Sequence, residues 1–191
     1  ARKKGAELFT RALAGTQSVG GSASPQVLLD SEKNQREHEL VVRAVKEAIE
    51  PITGSIRSCT NPGLRQLRDV LHLETHIEAE LLPTSSLLEA IGRLHPTPAI
   101  GGTPTPNACK FIAANEKQER GWYTGPIGWI DGFGDGEFHV ALRCGIVEGA
   151  HAWGFAGAGI VAGSTPSAEW DETSVKLRAF QHALGIRGED A

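Results

Sequence analysis

The chain has 191 residues, of which 40% are hydrophobic and 22% charged, and its formal net charge is −4. These values are typical of a folded globular protein and exclude a chain that is disordered or fibrous throughout. The mild negative charge gives no general attraction to nucleic acid or to an anionic membrane, so neither is an expected partner. The three cysteines, Cys59, Cys109 and Cys144, are widely spaced, which argues against a disulfide framework or a zinc site and favours the cytoplasm.

The first half of the sequence alternates strand and helix signals. In chain order it predicts a strand over residues 7–13 that enters a turn at 14–16, a Gly/Ser-rich loop over 17–26, a helix over 31–49, a strand over 70–81 and a short helix over 85–94. In the long helix apolar residues recur at helical spacing, and Ser31 is placed to cap the first turn. In the second strand apolar residues alternate, which is typical of a strand with one buried face.

The second half begins with a loop over residues 95–106, where four prolines and two glycines in twelve residues argue against a helix or a central strand. The elements that follow are a helix over 107–117, an antiparallel meander of strands over 125–131, 137–147 and 150–156, and a last helix that starts after Thr165 and ends near residue 184. This order predicts an α+β fold in which helices pack on an antiparallel sheet, as a single domain over residues 1–191.

Three glutamates are candidates for a metal site. Glu37 lies towards the apolar side of the first long helix, where a buried carboxylate must be paired, protonated or bound to a cation. The alternative is a solvent-facing glutamate or an ion pair with Lys33. Glu169 and Glu172 lie one turn apart near the start of the last helix, where they either bind a metal together or complement the helix dipole. Carboxylate oxygens suit Mg²⁺ better than zinc.

Other residues are candidates for binding an anionic small molecule. The Gly-Ala-Gly sequence at 157–159 lets the backbone approach a ligand closely, although a plain tight turn explains it as well, and its spacing does not match a dinucleotide-binding motif. Arg143 either makes a bidentate contact with a carboxylate or faces solvent. Trp122 and Tyr123 either wall a pocket or belong to the core.

Six segments form a pattern that covers nearly the whole chain: 12–16 (ALAGT), 31–41 (SEKNQREHELV), 94–99 (LHPTPA), 120–129 (RGWYTGPIGW), 155–161 (FAGAGIV) and 169–173 (EWDET). In this order they resemble the chorismate-utilising enzymes, which include isochorismate synthases, salicylate synthases, anthranilate synthase large subunits and aminodeoxychorismate synthases. The segment 94–99 is similar to the isochorismate synthases, whereas anthranilate synthases typically carry Gly-Thr-Leu-Ser-Gly-Ala-Pro-Lys there.

The resemblance implies the layered chorismate-binding fold and an Mg²⁺-dependent conversion of chorismate to isochorismate, for siderophore or menaquinone biosynthesis. It implies that Glu37 and Glu172 are Mg²⁺ ligands, with Glu169 beside them. It further implies that the substrate contacts residues spread along the chain: Gly15, His72, Thr97, Tyr123, Arg143, Gly157, Gly159 and Lys176.

Two catalytic groups of the family have no counterpart in these residues. In isochorismate synthases, the lysine that activates water and the glutamate that protonates the departing hydroxyl precede the ALAGT segment, which here follows only eleven residues. We therefore expect both upstream of residue 1, and we expect the 191 residues alone to be inactive. The alternatives are an anthranilate or aminodeoxychorismate synthase subunit, a salicylate synthase, and a non-catalytic fragment that binds a chorismate-like ligand. The segment 94–99 argues against the first, so no glutaminase partner is expected.

Overall fold

A computed structural model describes residues 1–18, 25–67 and 70–186. The chain forms two compact units, a larger one built from residues 1–117 and 126–139, and a smaller one built from residues 118–125 and the chain from 140 onward. Each unit combines helix with antiparallel sheet, which confirms the predicted α+β class.

The larger unit is organised around two long strands that pair along most of their length. These strands are β2 (Glu7–Ser18) and β5 (Val70–Leu81), and β5 has the bounds that the sequence predicts. They run antiparallel, with Thr10 opposite Ile77. The shorter strands are β1 (Arg2–Lys4), β3 (Thr53–Ser58), β4 (Gly63–Gln66), β6 (Pro126–Ile130) and β7 (Gly136–Val140). The sheet order is β3-β5-β2-β1-β7-β6, with β4 pairing another stretch of β5.

The core of the larger unit lies between this sheet and helix α2 (Glu32–Ile49). Ser31 caps α2 as predicted, since its side chain accepts a hydrogen bond from the backbone N–H of Asn34. The apolar stripe of α2 packs on inward-facing residues of β2 and β5, and the buried cluster includes Val41, Val45, Ile49, Leu8, Ala12, Ile77 and Ala79. The other helices of this unit are α1 (Gln26–Asp30), α3 (Leu87–Leu94), α4 (Pro98–Gly101) and α5 (Thr105–Asn115).

Two predicted breaks in the first half were misplaced. Strand β2 does not enter a turn at residues 14–16 but continues to Ser18, because a β-bulge at Gly15 absorbs the irregularity. Gly15 has a φ of +74°, and a Cβ there would lie 3.1 Å from the Cβ of Asn34 on α2. The predicted loop over residues 17–26 is strand up to Ser18, lies outside the described residues at 19–24, and ends in α1.

Two further predictions in the second half were wrong in detail. The proline-rich segment 95–106 contains α4, because Pro98 occupies its first turn, where a missing N–H costs no hydrogen bond. The predicted strand over 137–147 is two strands, β7 in the main sheet and β8 (Gly145–Glu148) in the smaller unit. Arg143, which was placed within that strand, lies instead in the connection, with a φ of 54°.

The smaller unit contains the hairpin β8–β9 and the last helix. Strand β9 (His151–Gly154) pairs antiparallel with β8, and α6 (Pro166–Ala183) begins after Thr165 as predicted. Gly145 and Gly154 lie opposite each other where Phe180 of α6 packs on the hairpin, and a Cβ on Gly145 would lie 2.3 Å from the Phe180 ring. These two glycines therefore allow the helix to approach the hairpin closely. None of the described helices is long and apolar enough to cross a membrane.

Adjacent leucines on α3 test which side of that helix stabilises the larger unit. Leu87 is 1% exposed and belongs to the core, whereas Leu88 is 59% exposed. We expect Leu87→Ala to lower the free energy of unfolding by about 2–5 kcal/mol, because it removes buried contacts and leaves a cavity. Leu88→Ala should change it by less than about 0.5 kcal/mol. Urea denaturation of both variants measures the difference, and equal losses would contradict this account of the core.

Candidate functional site

The partly buried side chain of Arg143 lies in the connection between β7 and β8. The side chain of Arg143 is partly removed from water, and this burial lowers the pKa of the guanidinium. Tyr123 and Glu172 lie close enough to oppose that shift electrostatically. Because the ordinary pKa of arginine is far above neutrality, the side chain stays charged, and it has lost part of the water that would screen it. A partly desolvated guanidinium is suited to binding a carboxylate.

Tyr123 lies against the Gly-Ala-Gly segment. Its ring stacks on Phe155 with centroids 5.5 Å apart, and the guanidinium of Arg120 lies 6.0 Å from the tyrosine ring centroid. A Cβ on Gly157 would lie 3.1 Å from the tyrosine hydroxyl, so glycine allows this close approach. Trp122 is 89% exposed and is therefore not a core residue of its unit.

Lys176 connects the Gly-Ala-Gly segment to the acidic face of α6. Its ammonium donates a hydrogen bond to the carbonyl of Gly157 at 3.0 Å and forms an ion pair with Glu172, one turn earlier on the helix. Glu169 lies in the first turn of α6 and is half-buried like Glu172. The smaller unit thus brings together five residues that the resemblance singled out: Tyr123, Arg143, Gly157, Glu172 and Lys176. Gly159 follows two residues later in the same segment and is exposed.

The larger unit brings together two more of the predicted residues. The Nδ1 atom of His72 on β5 lies 3.3 Å from the carbonyl oxygen of Gly15 in the bulge of β2. A carbonyl oxygen only accepts hydrogen bonds, so this contact requires the proton on Nδ1. Thr97 precedes α4 and accepts hydrogen bonds from the N–H groups of Ile100 and Gly101 through its backbone carbonyl. Among the described residues we find no hydrogen bond between Thr97 and Gly15 or His72.

Glu37 lies on α2 beside a fully buried histidine. The glutamate is half-buried, and in the described part of the chain no ion pair joins it to Lys33 or to another cation. Its neighbour His38 is 2% exposed, and the Nε2 atom of His38 lies 2.7 Å from the Thr75 hydroxyl on β5. Burial lowers the pKa of His38, and the Ala14 backbone and the Glu39 carboxylate oppose that shift. The helical and strand periodicities of the sequence do not indicate that His38 and Thr75 pair.

The candidate metal ligands are divided between the units, with Glu37 in the larger one and Glu169 and Glu172 in the smaller one. Among the described residues no group of three acidic, histidine or cysteine side chains gathers within either unit as a metal cage. The donor chemistry nevertheless fits Mg²⁺, which takes one or two carboxylates and completes its shell with other oxygens. Glu172 already binds a cation, the ammonium of Lys176.

The arrangement in the smaller unit defines a class of protein. Lys176 and Tyr123 lie against the Gly157 backbone, and Arg143 lies near Tyr123 and Glu172. Basic donors beside a glycine-rich segment and acidic side chains are suited to a small anion that binds together with a cation. A family model described as chorismate binding enzyme matches residues 1–185. The chain therefore belongs to the chorismate-binding enzyme family, and the resemblance drawn from its motifs is confirmed.

Three known proteins illustrate this membership. The chain is 43% identical to the salicylate biosynthesis isochorismate synthase of Pseudomonas aeruginosa, with 98% of this chain and 40% of that protein covered. The crystal structure of DhbC from Bacillus anthracis, described as an isochorismate synthase, matches with a TM-score of 0.91 and 36% identity over 97% of this chain and 51% of that one. Anthranilate synthase component I from Streptococcus pneumoniae matches with a TM-score of 0.83 and 28% identity, with 94% and 41% covered. The chain thus spans about half or less of the length of each.

Proposed function

We propose that the gene product carrying this chain converts chorismate to isochorismate and requires Mg²⁺. The observation that carries the proposal is the cluster of Tyr123, Arg143 and Lys176 around the Gly157 backbone, with Glu172 beside it. The higher identity to isochorismate synthases than to anthranilate synthase supports this member of the family. The reaction takes place in the cytoplasm, needs no glutaminase partner, and supplies isochorismate for siderophore or menaquinone biosynthesis.

Chorismate carries two carboxylates, and a chain with a net charge of −4 must bind them through local groups. In this proposal Arg143 binds one carboxylate through two parallel N–H donors, and its partial burial strengthens that contact. The Tyr123 hydroxyl and the backbone N–H groups near Gly157 and Gly159 complete the donor set. Lys176 holds the Gly157 carbonyl, which fixes the orientation of that segment.

The other carboxylate, on the ring, lies on the acidic side of the site. Glu37 and Glu172, with Glu169 beside them, would hold Mg²⁺, which would neutralise that carboxylate and polarise the ring. Acidic side chains alone would repel the substrate, so the cation accounts for glutamates in an anion-binding site. Glu172 is paired with Lys176 one turn later on α6 and also lies close enough to Arg143 to raise the pKa of its guanidinium.

Hydroxyl transfer requires a proton acceptor and a proton donor on opposite faces of the ring. Water adds at ring carbon 2 and gives its proton to a lysine, while the hydroxyl at carbon 4 leaves as water with a proton from a glutamic acid. The family resemblance assigns both groups to residues that precede the segment 12–16, and we expect them upstream of residue 1. Residues of this chain orient the ring between them, with His72 and Gly15 near it and Thr97 lining the site.

The activity is tested by incubating the purified gene product with chorismate and Mg²⁺ and adding isochorismate lyase. Isochorismate formation appears as salicylate only after the lyase is added. Salicylate formed without lyase identifies a salicylate synthase, and anthranilate formed with ammonia identifies an anthranilate synthase.

Arg143→Lys in the full gene product keeps the positive charge but loses the planar guanidinium with its two parallel N–H donors. We expect KM for chorismate to rise at least about tenfold, because a charge-assisted hydrogen bond is worth roughly 1.5–3 kcal/mol. Arg178→Lys is the matched control, since Arg178 is exposed on α6 of the same unit and should leave KM unchanged. An unchanged KM in Arg143→Lys would remove this residue from the site.

Glu172→Gln removes a charge that the proposal assigns to the metal. We expect the dissociation constant for Mg²⁺ in the gene product, measured by titration calorimetry, to rise at least about tenfold, since a neutral amide is a poor ligand for this ion. Glu148→Gln, on the exposed hairpin of the same unit, serves as the control and should leave Mg²⁺ binding unaffected. If both variants bind Mg²⁺ like the parent, Glu172 is not a ligand.

The 191 residues purified by themselves should not produce isochorismate at a measurable rate, whereas the full gene product should. General acid–base catalysis contributes about 10²–10⁴-fold for each group, and we expect both groups outside these 191 residues. The same lyase-coupled assay measures both proteins. Robust Mg²⁺-dependent turnover by the 191 residues would show that the acid and the base are among them.

A further inference from the structure

The buried pair formed by His38 and Thr75 calls for an explanation. His38 is 2% exposed and Thr75 is 3% exposed, and their hydrogen bond of 2.7 Å joins α2 to the central strand β5. The Nδ1 atom of His38 is buried and makes no well-aligned hydrogen bond among the described residues, although the Ala14 backbone lies close enough to raise the pKa of the ring. A buried polar atom without a partner is destabilising, so an apolar side chain would stabilise this position better.

The pair lies next to Glu37 in sequence, and a second contact of α2 with the sheet lies one turn earlier. One turn before His38, Asn34 packs against the bulge of β2, where a Cβ on Gly15 would lie 3.1 Å from the Asn34 Cβ. Asn34 and His38 are four residues apart and therefore lie on the same face of the helix. Glu37 lies between them in sequence, so both contacts restrict where its carboxylate can point.

The apolar contacts of α2 do not provide the same restriction. Val41, Val45 and Ile49 pack on the sheet further along the helix, away from the turn that carries Glu37. Apolar packing is non-directional and tolerates small rotations, whereas a short hydrogen bond fixes both distance and angle. The hydrogen bond from His38 to Thr75 therefore restricts the orientation of the first half of α2 relative to β5.

We infer that His38 and Thr75 are positioning residues that orient the Glu37 carboxylate towards the divalent cation. The inference rests on the proposed function, because it takes Glu37 as an Mg²⁺ ligand. Removal of an outer-shell residue that orients a metal ligand typically lowers metal affinity 10–100-fold. The pair does not contact the metal itself, and it acts through the backbone of α2.

The test uses the full gene product and measures Mg²⁺ binding by calorimetry together with Tm. Thr75→Val keeps the size of the side chain and removes the hydroxyl, and we expect it to raise the Mg²⁺ dissociation constant about tenfold. Thr75→Ser keeps a hydroxyl and should bind Mg²⁺ nearly as the parent does. Ile77→Val, on the same face of β5, is the control for a purely structural effect and should lower Tm without changing Mg²⁺ affinity.

A double variant separates positioning from general destabilisation. If the pair acts through Glu37, adding Thr75→Val to Glu37→Gln should weaken Mg²⁺ binding no further. A second tenfold loss in the double variant, or parent-like affinity in Thr75→Val, would overturn the inference. Should Thr75→Val not fold, Thr75→Cys, whose thiol is a weak hydrogen-bonding group, gives the same readout.

The single variant Glu37→Gln distinguishes a failure of the positioning role from a failure of Glu37 as a metal ligand. If Glu37→Gln weakens Mg²⁺ binding but Thr75→Val does not, only the positioning role fails. If Glu37→Gln itself binds Mg²⁺ like the parent, Glu37 is not a ligand, and the metal part of the proposed function fails together with this inference.

Discussion

The packing of α2 on the β2–β5 pair is the contact on which the larger unit depends. Val41, Val45 and Ile49 cover the inward face of the two longest strands, and the buried side of β5 continues along its whole length. This contact also determines where Glu37 lies, because the same helix face that enters the core carries His38. Helix α2 therefore carries both core residues and Glu37, and the buried hydrogen bond between His38 and Thr75 lies in the same core.

A glycine is required at one place in each unit, for different physical reasons. At Gly15 the chain adopts a φ of +74°, which side chains rarely allow, and the resulting bulge turns a carbonyl towards His72. At Gly157 the conformation is ordinary, and what matters is space, because the Tyr123 hydroxyl occupies the volume that a side chain would need. The first glycine shapes the backbone and the second brings an aromatic side chain against it.

The sequence predicted those elements that have one buried face and one exposed face. The alternation in β5 and the helical spacing in α2 gave bounds within one residue of those observed, because burial produces periodicity. Strands β1, β3 and β4 were missed, and β4 is exposed at every residue, so its sequence carries no alternation. Strands β6 and β9 are also exposed throughout, and they were predicted with the help of the turn-like glycine segments between them. Around Arg143 the apolar residues suggested one continuous strand, because no sequence pattern marks an arginine with a positive φ. Motif resemblance, rather than periodicity, singled out Tyr123, Lys176 and His72.

The charges of the smaller unit show how an acidic chain can bind an anion. Arg143 and Lys176 lie close to Glu172, so in the absence of ligands the cations and the carboxylate compensate one another. In the proposed function, a substrate carboxylate would compete with Glu172 for these cations, and a divalent cation bound by Glu172 would relieve that competition. Binding of a dianion and of a divalent cation at such a site is therefore coupled, since each relieves the charge that the other leaves unpaired. This coupling follows from the local charges alone and requires no movement of the helix.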